Sequence, residues 1–591
     1  MDWPIIEKSG DFAVPPYLTD WEAARAAFDW QTEIDRLSKL PGGGLNLAVE
    51  AVDRHVAEGR GETVAMRWIS RNQDSRRELT YAQLKEQTDR FAAALRHLGL
   101  KRGDTVAVML NNLAELPIAA LGTIKAGCVF CPLFAAFGPE PVRARLILGR
   151  ARLLVTTEAL YLRKIADLRE DLTELDHVLL IGGSGQPPQG CLDFQATLNA
   201  ASPEDGTVEA TSPDDPAMLH FTSGTTGEPK GALHPQRSAA GIHATARMVL
   251  DLRPGDIFWC TADTGWVTGS IYKLLAPLLA GATGILYEGE FDPGAWYGVL
   301  RNEKVTVWYT TPTAVRMLMR FGAALPRTYR PLSLRLAFSV GEPLNPEAVI
   351  WARDALGLPF HDTWWQTETG CIALANFAVT TIKPGSMGRP VPGFEVALVE
   401  RRPEGGLRFI EDAGIPGEIA LKAGWPSMFS DYIGAHTRYE ECFIDGWYLT
   451  GDLAKRDADG YFWFLGRADD VIKASGHLIG PFEVESALMD HPAVAEAGVI
   501  GKPDPVAHER VKAYVSLSHG FAAGEALRRE LIAFARLRLG SALAPKELVF
   551  IDELPKTRSG KIMRRVLKAR ELGLPTGDLS GMDSDIRGTG V

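Results

Sequence analysis

Cysteine is scarce in this chain, with six residues in 591, too few and too scattered for a disulfide framework to hold so large a fold. Cys128 and Cys131 form one CxxC inside the apolar run AGCVFCPLF, but no second pair and no histidine pair stands nearby to complete a metal site. Both read as buried strand thiols. An excess of positive charge is also missing. Sixty-three basic against 74 acidic residues leave a net charge of −11, which excludes the electrostatic footprint that nucleic acid or an anionic membrane requires. The most apolar long stretch, residues 105 to 137, is interrupted by Asn111, Asn112, Glu115 and Lys125 and is too polar for a spanning helix. The start, MDWPIIEKSGDF, lacks a basic segment followed by an apolar core, so no secretory signal is expected and the expected location is cytoplasmic. Internal repeats and low-complexity tracts are absent.

What is present is ordinary globular material, 46% hydrophobic and 23% charged, in a chain long enough for two or more domains. Helical periodicity in YAQLKEQTDRFAAALRHLGL is followed by the short apolar run TVAVML, and further apolar runs (VFCPLF, RLLVTT, HVLLIGG, GILYEG, VTVWYT, LRLAFSV) recur between helix-like segments. This alternation predicts an α/β architecture with largely parallel sheets. The first 45 or so residues, with WEAARAAFDW, read as a helical extension packed on the body. Beyond LGRADDVI the chain changes to short strands and helices (FEVESALMD, AVAEAGVI, VKAYVSLS, ALRRELIAFARLRL), enough for a compact α+β domain. The expected division is a large N-terminal domain over 1–467 and a small C-terminal domain over 468–591, with a hinge between Arg467 and Asp470.

Residues 221 to 231, FTSGTTGEPKG, combine glycines that let backbone N–H groups approach an anion with hydroxyl donors and the charge of Lys230. The Walker pattern needs its lysine directly after the second glycine, whereas Glu228 and Pro229 separate Gly227 from Lys230. An ordinary P-loop NTPase is therefore disfavoured. Taken alone, the segment reads equally as an anion loop and as a flexible surface turn.

Further motifs follow in one order: CTADTGWVTG at 260–269, SVGEPLNPE at 339–347, HDTWWQTETG at 361–370, GWPSMF at 424–429, YLTGDLAKRDADGYFWFLGRADDVIKASG at 448–476 and PKTRSGKIMRR at 555–565. Together they resemble the adenylate-forming acyl-CoA synthetase superfamily over nearly the whole chain, in the group of AMP-forming acetyl-CoA synthetases. The resemblance implies a multi-subdomain N-terminal domain with layered sheets and helices, a mobile α+β C-terminal domain, and acetate, ATP and CoA as substrates with Mg²⁺. Thr222, Ser223, Gly224, Thr225, Thr226 and Lys230 would form the loop around the β- and γ-phosphates. Gly341, Glu342 and Pro343 would border adenine, with Trp364 beside the base and Asp362, Thr363 and Gln366 completing the nucleotide site. Asp452 would accept the ribose hydroxyls and Arg467 would add a ribose or phosphate contact. Thr367 would reach the α-phosphate, Glu368 would hold Mg²⁺, and Lys561 would place a positive charge between the attacking carboxylate and the α-phosphate. The resemblance assigns the hinge to Asp469 and the CoA tunnel to Ser475 and Gly476. It also implies that a lysine acetyltransferase and a deacetylase act on Lys561, because acetylation removes the charge.

Val267, Thr268, Val340 and Trp365 would form the acyl pocket. Related enzymes for longer acids carry glycine at the position of Trp365, so acetate is the implied substrate, with propionate or another short-chain acid as the alternative. SGHLIG departs from the family pattern, placing Leu478 where arginine is usual. Lys473 is the neighbouring residue able to supply charge instead. Rival readings are an adenylation domain feeding a carrier protein, a luciferase-like oxygenase and a nucleotide-binding pseudoenzyme. The chain has no GGxS-type carrier segment, and Lys561, Glu368 and Asp452 are all present.

Overall fold

Why the chain alternates between strand and helix is visible at the segment that carries the adenine-side motif. Leu336–Ser339 is a fully buried strand; the chain then turns at Gly341, whose φ of 92° is open to glycine and strained for other residues. Asn345 precedes a helix, Pro346–Leu356, with proline in its first turn, and Gly357 ends it in the left-handed conformation. The next strand, Phe360–Trp364, is again buried throughout. It lies parallel to the first, with Ser339 opposite Asp362.

The computed structural model describes residues 3–579 except 9, 11, 13, 184, 224–228, 331, 475, 476, 506, 558–560, 577 and 578, and the backbone alone at 223, 477 and 478. Within the described residues the strands form four sheets of nine, eight, six and five strands. The nine-stranded sheet is parallel through its centre, from Val64–Ile69 across to Phe360–Trp364, and antiparallel at both edges. The eight-stranded sheet is likewise parallel in its middle, with Pro216–Ser223 and Pro229–Pro235 paired as an antiparallel hairpin toward one edge. The expected α/β class and layered arrangement are present. The expectation of largely parallel sheets holds for these two alone. The six-stranded sheet, built from residues 396 to 467, is antiparallel, because its strands are joined by short connections rather than by crossover helices.

Side-chain alternation along the strands divides the core. Phe258 enters the large buried cluster that also holds Phe130, Leu153 and Phe338, whereas its neighbour Trp259 packs with Trp308 and Trp296 on the opposite face. The same rule separates Cys128, in the large cluster, from Cys131, in the cluster behind it. Their thiols face opposite sides of the sheet and cannot share a metal ion. Burial pushes both up to about 12. Among the described residues no group of three or more His, Cys, Asp or Glu is placed to hold a metal, and no helix is long and apolar enough to cross a membrane.

The N-terminal extension is tied down by two helices, Trp21–Ala27 and Trp30–Asp35, each with an aspartate side chain capping its first turn. Their indole N–H groups donate to Pro390 O at 2.9 Å and Gly393 O at 2.7 Å. At the other end, the five-stranded sheet begins at Ile472 and has its own core of Ile472, Val499, Val511, Leu531 and neighbours, with no contribution from earlier residues. Helices Pro481–Met489 and Glu525–Leu543 cover it.

Candidate functional site

A cavity of about 840 Å³ opens between the large sheets, the antiparallel sheet and the C-terminal unit. At one end it is lined by Thr222 and Lys230, which pair across the hairpin, so the glycine-rich loop joins two antiparallel strands and does not precede a helix. Gly224, Thr225, Thr226 and the Ser223 side chain lie outside the described residues. Burial and the nearby Arg438 guanidinium lower the pKa of Lys230, and its ammonium stands 5.7 Å from the Tyr432 ring centroid.

Beyond the loop, the segment after Trp364 brings Trp365, Gln366, Thr367 and Glu368 to the cavity wall. The segment closes on Gly370, at φ 65°, where a side chain would run into Ser427 O at 2.2 Å. Glu368 Oε1 accepts a hydrogen bond from Tyr432 Oη at 2.5 Å. Burial and that carboxylate hold the Tyr432 hydroxyl protonated. No hydrogen bond to Oε2 is formed among the described residues.

The part of the cavity around Asp452 is densely cross-linked. The Asp452 carboxylate, 5% exposed, accepts from Trp364 Nε1 at 3.0 Å, Gln366 Nε2 at 2.8 Å and Arg467 Nη1 at 3.0 Å. Gln366 is itself held by Tyr448 Oη at 2.8 Å. A carboxylate offers about four lone-pair sites, so three donors leave room for one more, and a second hydroxyl would have to displace Arg467 or another donor. Trp364, expected beside the base, thus also steadies the residue expected at the ribose. The Glu342 carboxylate takes hydrogen bonds from Thr313 Oγ1 and Arg316 Nη2, both at 2.7 Å. Asp362 is buried beneath the same turn, accepting from Ser339 Oγ at 2.6 Å and Leu344 N at 3.3 Å, and desolvation raises its pKa to about 7.

Val267, Thr268, Val340 and Trp365 also line the cavity. Trp365 meets Tyr272 edge to face at a centroid distance of 5.0 Å. From the C-terminal unit, Lys561 lines the same cavity. It is exposed, and its backbone exchanges hydrogen bonds with Thr557, Thr557 N to Lys561 O at 2.8 Å and Lys561 N to Thr557 Oγ1 at 3.0 Å. Arg467 ends the last strand of the antiparallel sheet, and one turn through Asp469 leads to Ile472; Asp469 is half exposed, 3.7 Å from the Arg467 guanidinium. Arg564, in the PKTRSGKIMRR motif, is paired in bidentate fashion with the buried Glu485, which also accepts from Val499 N. Ser475, Gly476 and the Leu478 side chain lie outside the described residues; Lys473 is exposed on the strand opposite Leu478.

Sequence reasoning missed Tyr309, Thr313, Arg316, Tyr432 and Tyr448. The first three lie outside the quoted motifs, Tyr432 lies just after GWPSMF and Tyr448 opens the 448–476 motif, but no local pattern marks any of them, and only folding aims them at the site.

A large unit of layered α/β sheets carrying a glycine-rich hairpin, with a small α+β unit beside it across one cavity, defines a nucleotide-binding, adenylate-forming type of enzyme. The AMP-binding enzyme family model matches residues 53–433, and the model for the AMP-binding enzyme C-terminal domain matches residues 483–561. The chain belongs to the AMP-binding enzyme family, among relatives that are acetyl-coenzyme A synthetases. It is 43% identical to the acetyl-coenzyme A synthetase of Bacillus subtilis (strain 168) over 96% of this chain and 97% of the relative. With that of Pyrobaculum aerophilum it shares 37% identity over 96% of this chain and 90% of the relative. Among solved structures it is similar to an acyl-CoA synthetase from Brucella canis, at a TM-score of 0.72 and 36% identity over 95% of this chain and 99% of that one. An anthranilate CoA ligase in complex with anthranoyl-AMP matches at a TM-score of 0.81 and 28% identity, over 93% and 99% of the two chains.

Proposed function

We propose that the chain is an acetate:CoA ligase of the AMP-forming type. Acetate attacks the α-phosphorus of ATP, the bond from that phosphorus to the bridging oxygen breaks, and pyrophosphate leaves; the CoA thiol sulfur then attacks the acetyl carbon of the adenylate, losing its proton, and AMP leaves. The observation that carries the reading is the single cavity holding Lys230, Glu368, Asp452 and Lys561 with an apolar end closed by Trp365. Every step must hold negative charge, and the charged groups along this cavity suit that demand.

Thr222, Ser223, Gly224, Thr225, Thr226 and Lys230 are assigned to the outer phosphates and Thr367 to the α-phosphate. Gly341, Glu342 and Pro343 are assigned to the adenine side, with Asp362, Thr363, Trp364 and Gln366 behind them and Asp452 with Arg467 at the ribose. Lys561 neutralises the repulsion between the carboxylate and the α-phosphate. Mg²⁺ entering with ATP would be held by the free oxygen of Glu368 and would polarise the phosphate oxygens; one hard carboxylate plus substrate phosphates suits that ion. The small domain, from residue 468 with Asp469 as its hinge, carries Lys561 in and then away, and the face around Ser475 and Gly476 receives CoA. The separate core that begins at Ile472 supports that division. The exposed Lys561 amine suits a regulating lysine acetyltransferase and deacetylase, and the use of ATP and CoA suits the cytoplasm.

The test is AMP release with ATP and CoA across straight-chain acids from acetate to octanoate, with ATP formation from acetyl-CoA, AMP and pyrophosphate measured alongside. Acetate is expected to lead. A chain that releases no AMP with any of these acids, although it binds ATP, would return the reading to a nucleotide-binding protein without ligase activity.

A further inference from the structure

Trp365 closes the apolar end of the cavity, but an indole on a half-buried segment can swing on two side-chain torsions unless something holds it. Its ring nitrogen is 3.3 Å from the hydroxyl of Tyr309. Tyr309 lies at the buried centre of the nine-stranded sheet, in the strand Val307–Thr310, and its hydroxyl is also 2.8 Å from Thr363 Oγ1. Thr363 in turn donates to Ser339 O at 2.7 Å.

The protons along this chain have one arrangement. An indole N–H only donates, so the Tyr309 oxygen accepts from Trp365. The single Thr363 proton goes to the Ser339 carbonyl, so Thr363 Oγ1 accepts the Tyr309 proton. Burial keeps the phenol protonated, which leaves this order intact at any working pH. Three successive hydrogen bonds thus anchor the indole to the backbone of the strand that leads into the adenine-side turn. On its other side the Tyr272 ring meets it edge-on, and Tyr272 Oη is independently fixed, accepting from Ile372 N at 2.8 Å and standing 2.9 Å from Thr245 Oγ1.

We propose that Tyr309 is a positioning residue for acid selectivity: its hydroxyl holds Trp365 across the acyl pocket, and without that bond the indole yields to longer carboxylates. The inference rests on the acyl-pocket reading of Trp365 above, and Tyr309 is not among the residues that line the cavity.

Tyr309→Phe removes one oxygen and keeps the ring. The expected result is a rise in the butyrate-to-acetate ratio of kcat/KM by roughly fivefold to tenfold, since two additional methylenes gain at most a factor of about fifteen when fully accommodated. The KM for ATP should stay near that of the parent. Introduced into Trp365→Gly, the same change should leave the ratio where Trp365→Gly alone sets it, because the group it positions is gone. Tyr272→Phe, which keeps the ring contact to Trp365, should move the ratio less than Tyr309→Phe. If Tyr309→Phe does not fold, Thr363→Val interrupts the chain one link along and should shift the ratio in the same direction.

An unchanged ratio in folded Tyr309→Phe, or an equal shift with and without Trp365, overturns the proposal and leaves Tyr309 as core packing. A parent that does not prefer acetate, or a Trp365→Gly variant that keeps the parent's acid ranking, defeats the functional reading instead, which separates the two failures.

Discussion

The two walls of the cavity are built on opposite principles. On the N-terminal side, Asp452, Gln366, Trp364, Asp362 and Glu342 are each tied by hydrogen bonds to neighbours in the large sheets or the antiparallel sheet. On the C-terminal side, Lys561 is exposed and held through its backbone to Thr557, in a unit with a separate core. Among the described residues few direct polar contacts join the units; Asn345 Nδ2 to Ser486 Oγ at 3.2 Å and Lys455 to Glu483 at 4.0 Å are examples, both at the margin of strong interaction. Recognition of a constant ligand benefits from groups that lose no freedom on binding. A group needed for one half-reaction and in the way of the next is better placed on an element that can leave.

The strongest way to break this contrast is Lys561→Ala. Loss of the Lys561 charge should lower acetate-dependent exchange of pyrophosphate into ATP by on the order of a hundredfold to a thousandfold, while thioester formation from supplied acetyl adenylate and CoA persists. Parallel loss of both half-reactions would mean that Lys561 belongs to the fixed wall.

On the fixed wall, Trp365→Gly should redirect selectivity from acetate toward butyrate and hexanoate. Four additional methylenes at about 0.8 kcal/mol each give roughly 3 kcal/mol, on the order of a hundredfold in relative kcat/KM. ATP affinity should change little, since the base is assigned to Trp364. An unaltered ranking with normal ATP affinity would reduce Trp365 to core packing.

A smaller effect, about tenfold, is expected from Leu478→Arg, which restores a guanidinium at the position where the family pattern carries arginine. Exchange of pyrophosphate should be faster at equal folded fraction. No gain would indicate that another cation, Lys473 among the candidates, already serves the phosphate.

The smallest effect concerns stability against pH. Burial raises Asp362 from 3.8 to about 7, so between those values the folded chain holds a proton that the unfolded chain has released. Its contribution to stability is complete below the unfolded pKa and is lost as pH rises through the folded pKa. Asp362→Asn keeps an acceptor for Ser339 Oγ and cannot ionise. Urea midpoints at about pH 5 and about pH 8 should therefore fall with pH more in the parent than in the variant; equal pH dependence would show that Asp362 titrates as it does in the unfolded chain.

Much of this was legible before folding. The alternation that predicted an α/β class reappears in strands such as Thr105–Met109, Ala151–Thr157 and Leu336–Ser339, each buried nearly throughout, because a central parallel strand is covered on both faces and reads as a short apolar run. The antiparallel sheet was not legible. GEIALK and WYLTGDLAKR do not say which strand they will face, and pairing direction depends on connections and twist rather than on local pattern.

By itself, the sequence determined which chemistry the chain carries: the glycine-rich loop with Lys230, the TWWQTE segment, the aspartate of TGD and the lysine of RSGK are set by residue identity and survive any rearrangement of the core. Tertiary structure alone decided what holds those groups. Tyr309 is 56 positions from Trp365, Tyr432 is 64 from Glu368, and Trp364 is 88 from Asp452. Hydrogen bonds across such separations form when segments from distant parts of the chain are brought together, burying each polar group beside its partners, and no local periodicity encodes which partners those are.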